Sequence, residues 1–179
     1  KDYGRYFEVR IEEVDGGEWS DGLALGLAES PLQQAVEPDL FGTYEGLACE
    51  LLPQCWLVGY DCRAKLCGQS RYLGGASELP RGTWRPSELR SGDVVALMVL
   101  AEGHMLLLVN GSLRCCVMHC GVPWRAALHA VVDLDGCTRS VQLLDALPTL
   151  EVLREIAPLR EKVAKQQRIR ESSPGSCGT

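Results

Sequence analysis

With 179 residues, 46% of them hydrophobic and 23% charged, the chain is large enough to bury one core and carries the charge content of an ordinary globular domain. Its 18 Lys and Arg against 24 Asp and Glu leave a net charge of −6, and the one basic cluster, Lys162 to Arg170, is bordered by Glu161 and broken by glutamines. Such a balance disfavours nucleic acid as a partner, and no stretch approaches the roughly 18 apolar residues that would span a bilayer.

The opening Lys1-Asp2-Tyr3 does not read as a signal peptide, and so abrupt a start reads as that of a fragment of something longer. Nine cysteines is an odd number in a domain that can do without staples. Without an export signal they read as reduced thiols of the cytosol or nucleus, and a cytoplasmic location is expected.

Tyr6 to Glu12 alternates cleanly, with Phe7, Val9 and Ile11 on one face and Glu8, Arg10 and Glu12 on the other. That is the pattern of a half-buried strand. Asp15-Gly16-Gly17 turns the chain, and Leu23 to Leu27 begins a second strand in which Gly26 permits a bulge or a close backbone approach. The two are expected to pair as a hairpin. From Glu29 to Pro53 no period is sustained, so a long surface loop is expected, with one short helical turn near Leu32 to Val36.

Cys55 to Tyr60 is a third strand, followed by a polar and glycine-punctuated segment reaching Gly82, and Trp84 to Leu89 leads into the next unit. That unit, Ser91 to Gly111, organises the chain. Asp93 to Leu100 and Met105 to Val109 are short, valine- and leucine-rich apolar runs that read as strands buried on two faces. Ala101-Glu102-Gly103-His104 connects them, and Asn110-Gly111 supplies the turn out of the second. Leu113 to Met118, Ala127 to Asp133 and Arg139 to Leu144 follow as strands, with Asp135-Gly136 as a tight turn. Strands at this density, without a helical period between them, predict an all-β fold, an antiparallel two-sheet β-sandwich, over residues 1–146.

After Asp145 the composition changes. Leu150, Leu153, Ile156, Ala157 and Val163 fall near helical spacing. A C-terminal helical segment is therefore expected within 147–170, with Thr149 as N-cap and Pro158 as a kink or break, and a disordered tail over 171–179.

Several pieces, in order, resemble the SPRY superfamily: Tyr6 to Ile11, Trp19 with Gly22 to Leu27, Trp56 with Gly59-Tyr60-Asp61, Gly92 to Val95, and Val109-Asn110-Gly111. The stretch from Leu128 to Leu144 looks more like its neuralized homology repeat branch. The histidine- and asparagine-containing opening strands usual for that repeat are absent, so a truncated neuralized repeat and a plain SPRY-like domain both fit. The resemblance implies a concanavalin-like sandwich without catalysis or cofactors, which binds a protein or peptide through edge loops, often as the substrate-recognition part of a ubiquitin ligase or scaffold. It places the partner contacts on Tyr60, Asp61, Arg63, Arg81 and Trp84. The tail resembles a box that recruits the elongin B/C adaptor, a ubiquitin-ligase component. Leu150 matches that box, but Arg154 and Pro158 stand at its cysteine and aliphatic positions. A charge and a helix-breaking ring at two anchors count against that recruitment.

The competing chemistry rests on Cys115-Cys116-Val117-Met118-His119-Cys120, which invites a zinc-binding or cysteine-dependent enzyme reading. Strand alternation sends Cys115 and Cys116 to opposite faces, which defeats a tetrahedral site, so no metal is expected. No Gly-x-Ser-x-Gly elbow, His-Glu-x-x-His or phosphate loop accompanies the three histidines. His104 falls in a turn, and His129 lies in a strand that should pack. Trp56 is expected in the core, whereas Trp19, Trp84 and Trp124 precede strands as plugs or binding anchors.

Overall fold

The computed structural model describes residues 4–15, 22–29, 48–52, 54–59, 63–66, 69–72, 85–134 and 136–172. Two antiparallel five-stranded sheets form the first of two compact units, Lys1–Leu147. The first sheet has the order β10-β1-β6-β7-β8, from Thr138–Leu144, Arg5–Val14, Val94–Val99, Met105–Val109 and Ser112–Val117. The second has the order β5-β4-β3-β2-β9, from Gln69–Tyr72, Arg63–Leu66, Cys55–Gly59, Leu23–Ala28 and His129–Leu134. The two-sheet fold expected from the strand density is what the chain adopts.

Alternation places Val9 and Ile11 of β1, Val95, Leu97 and Val99 of β6, and Met105, Leu107 and Val109 of β7 on one face of the first sheet. They meet Leu23, Leu25 and Leu27 of β2 and Trp56 and Val58 of β3 in one cluster, the core between the sheets. Trp56 is buried as expected, and its indole N–H donates to the Cys120 carbonyl at 3.0 Å, which meets the one polar need of a core tryptophan. The outward residues Met98, Leu106 and Leu108 are buried as well, so the β6–β7 hairpin is enclosed on two faces as its unbroken apolar runs require. Asn110 and Gly111, both at positive φ, form the two-residue turn from β7 to β8.

Three local expectations change. β1 and β2 are not a hairpin: β1 lies between β10 and β6, and β2 between β9 and β3, in opposite sheets. Their apolar faces look at each other across the core, because an alternating pattern specifies which face is buried and leaves the neighbouring strand open. The polar stretch after Tyr60 contains β4 and β5, a short antiparallel pair at the margin of the second sheet. A short helix, α1 (Ala48–Leu51), covers the outer side of β2 and β3, where Ala48 and Leu52 pack with Ala24, Ala28, Cys55 and Leu57. Its first N–H, from Ala48, donates to Asp133 Oδ2 at 2.7 Å. The helical turn expected near 32–36 lies outside the described residues.

The second unit, Pro148–Thr179, contains one helix, α2 (Leu150–Ser172). The Thr149 hydroxyl accepts the N–H of Val152 at 3.3 Å, the N-cap bond that its position suggested. Pro158 lies inside the helix rather than ending it. No helix among the described residues is long and apolar enough to cross a membrane.

Candidate functional site

One end of the sandwich carries the described residues that border the stretches the sequence singled out. Gly59 closes β3 opposite Arg63, the first residue of β4, and Arg63 also pairs with Tyr72 at the end of β5. Gly59 adopts φ +148°, and a Cβ there would lie 2.1 Å from the Leu23 carbonyl oxygen, so glycine alone lets β3 leave the sheet this close to β2. A single 3-10 turn, Pro86–Glu88, follows Arg85 and carries the chain toward β6. The Cys137 thiol points at the Pro86 carbonyl at 3.8 Å, which sets that turn beside the entry to β10.

The first-sheet side of this end is braced by its own polar groups. Asp93 Oδ2 accepts the Arg90 N–H at 2.8 Å, and Asp93 Oδ1 accepts from Asn110 Nδ2 at 2.8 Å. Asn110 Oδ1 in turn accepts the Val94 N–H at 2.9 Å, and the Ser91 hydroxyl donates to the Glu12 carbonyl at 2.8 Å. Arg139 and Asp15 form an exposed ion pair at 2.7 Å, and Asp15 raises the already high pKa of the guanidinium further. These two residues are 124 positions apart, so no local pattern linked them. Thr138 is buried beneath this end, and its hydroxyl has no hydrogen-bond partner.

Of the five residues expected to touch a partner, Arg63 is placed at the start of β4 by its backbone. Tyr60, Asp61, Arg81 and Trp84 lie outside the described residues, as does Trp19. Arg63 and two described neighbours of the other positions, Gly59 and Arg85, stand at the same end of the fold, because Gly22 at the head of β2 lies against Pro86 while Gly59 lies against Leu23.

The cysteine run folds as strand and turn. Cys115 joins the inter-sheet core, whereas Cys116, one position on, faces away and lies 3.3 Å from the Met118 sulfur. The buried Cys120 thiol donates to the Val117 carbonyl at 3.0 Å. Among the described residues no group of three His, Cys, Asp or Glu could hold a metal ion. The two histidines exchange the roles that the sequence suggested. His104, in the β6–β7 connection, is 1% exposed, while His129 is exposed because β9 is a sheet margin. Trp124 is half-buried against the core, with the Arg125 guanidinium 4.9 Å from its ring centre. Tyr6 donates its hydroxyl to Glu8 Oε2, and burial together with that carboxylate holds its pKa well above the ordinary phenol value.

Among solved structures, the chain is similar to the NHR1 domain of Drosophila melanogaster neuralized, with 14% identity, a TM-score of 0.48, and coverage of 82% of this chain and 75% of that one. No curated protein matches it. The model of the family described as Neuralized matches residues 2–145, the whole of the sandwich, and the chain therefore belongs to the Neuralized family.

Proposed function

We propose that the sandwich is a non-catalytic protein-interaction module that takes an extended peptide or a protein surface at the end carrying the β3–β4 turn, as the recognition part of a ubiquitin ligase or scaffold. The observation that supports this most is that the β3–β4 pair at Gly59 and Arg63 and the turn after Arg85, from two separate parts of the chain, come to one braced end. Loops held by a rigid scaffold are where recognition residues usually sit. Tyr60 and Trp84 supply apolar anchors, Arg63 and Arg81 meet a carboxylate or a backbone carbonyl, and Asp61 answers a donor on the partner. The elongin-type box is not part of this reading, because Arg154 and Pro158 occupy two of its three anchor positions.

Affinity for a partner recovered with the wild-type chain, measured beside melting temperature, tests the proposal. Tyr60→Ala and Trp84→Ala should each weaken binding by about 2 kcal/mol or more, as truncated anchors do, with melting unchanged. If the two variants lose binding only in proportion to lost stability, the partner binds elsewhere.

A further inference from the structure

The opposite end of the sandwich carries an independent arrangement. The β6–β7 connection, Ala101 to His104, meets the turn that follows β8, Met118 to Gly121. Gly103 sits against Val122, where a Cβ would lie 3.2 Å from the carbonyl oxygen. His104 Nδ1 accepts the backbone N–H of His119 at 2.8 Å, and the two rings stand edge to face with centroids 4.8 Å apart. His119 holds φ 55°, a left-handed conformation uncommon for a residue with a side chain, so the turn aims this N–H at a cost. His104 is almost wholly buried, and its Nε2 has no hydrogen-bond partner among the described residues.

A ring that accepts through Nδ1 carries its one proton on Nε2. A second proton sets an N–H at Nδ1 against the N–H of His119, donor facing donor. We propose that His104 is an acid-sensitive latch: neutral, it ties the β6–β7 connection to the turn after β8; protonated, it lets go of that turn at Met118 and His119. Burial disfavours the imidazolium most, His119 across from it adds to that, and Glu102 on the same connection opposes both more weakly. Among the described residues, no other carboxylate acts on the ring. Among the described residues, the charged groups on and against the stretch from Met118 to Leu128 are cations: Arg125, and Arg5, whose Nε and Nη2 donate to the Trp124 and Ala126 carbonyls at 3.2 and 2.8 Å. The imidazole pKa is thus lowered in the folded state. The latch contributes fully above the ordinary imidazole value and is lost as pH falls from there toward the lowered one. Opening stays local, because the Trp56 indole and the Arg5 guanidinium still hold the Cys120, Trp124 and Ala126 carbonyls.

Nitrogen chemical shifts of the His104 ring and amide exchange at His119, followed with pH in the full chain, test this. The ring should be the Nε2–H tautomer when neutral and titrate below an ordinary histidine. The opening constant at His119 should rise by up to about tenfold per pH unit of acidification, the limit for one linked proton. His104→Asn places a non-titrating oxygen near the Nδ1 position and should hold the His119 amide closed across the range. His119→Asn keeps the backbone N–H, tolerates the left-handed turn and should let His104 titrate higher than in the wild type. An Nδ1–H tautomer, titration at or above the ordinary value, or pH-independent protection of His119 would overturn the latch. If neither variant folds, the wild-type titration and exchange decide.

Discussion

The β6–β7 hairpin and the strands β9 and β10 all draw on valine and leucine, yet they live differently. In the hairpin, every residue from Val95 to Val99 and from Met105 to Val109 is buried. In β9 and β10, only Thr138 is fully buried, and Leu134 and Leu143 are 42% and 65% exposed. Composition separates them in part, since β6 and β7 carry no polar residue and β9 and β10 are broken by His, Asp, Thr, Arg, Ser and Gln. Position adds to it, because β6 and β7 lie inside the first sheet with neighbours on both sides, while β10 and β9 are the outermost strands of their two sheets. An apolar run announces a strand, but the number of neighbours it acquires decides how much of it leaves water.

The largest effect should come from the hairpin. Leu107 is 0% exposed and packs in the inter-sheet cluster, so Leu107→Ala should cost ~2–5 kcal/mol through lost burial and the cavity left behind. Denaturant melts with an unchanged m value would register it. A smaller loss is expected at Gly26 on β2, where an added Cβ would stand 2.0 Å from the Trp56 carbonyl oxygen and 2.8 Å from Leu57 Cα. Both obstacles are backbone, which cannot swing aside, so Gly26→Ala should cost ~1–3 kcal/mol as overpacking does. A Gly26→Ala variant as stable as the wild type would mean that β2 and β3 separate more easily than their pairing implies.

The same distinction governs what the sequence could disclose. Periodicity was enough for β1, β2, β3, β6, β7 and β8, for the Asn110-Gly111 turn and for α2 with its Thr149 cap, because each is written in residues near one another. Resemblance added the sandwich family and its branch. The partners of β1 and β2 were not legible, since alternation in Phe7, Val9 and Ile11 marks a buried face without saying which strand lies alongside. β4 and β5 were missed because Arg63-Ala64-Lys65-Leu66 and Gln69-Ser70-Arg71-Tyr72 lack an apolar run, and four-residue strands at a sheet margin need none. Helix α1 was hidden by its length, and its N-terminal bond comes from Asp133, far along the chain. At the candidate site the Asp15–Arg139 pair was not legible, and elsewhere neither were the burial of His104 and its bond to His119, because each joins segments that only the fold brings together.

The smallest effect, and the sharpest test of the comparison, belongs to Leu143. By register it stands beside Val9 on β1, and Val9 is in the core, so alternation alone would place Leu143 on the buried face. It remains 65% exposed because no strand lies beyond β10 in that sheet. Removing a side chain that is already mostly in water forfeits little transfer free energy and leaves no enclosed cavity, so Leu143→Ala should cost about 0.5 kcal/mol or less. Set beside Leu107→Ala, it holds the residue type and the substitution constant and varies the burial that each strand's place in the sheet gives. A loss at Leu143 as large as that at Leu107 would mean that the margin of the first sheet is covered in solution. Dependence of that loss on protein concentration would then identify the cover as another molecule of the same chain.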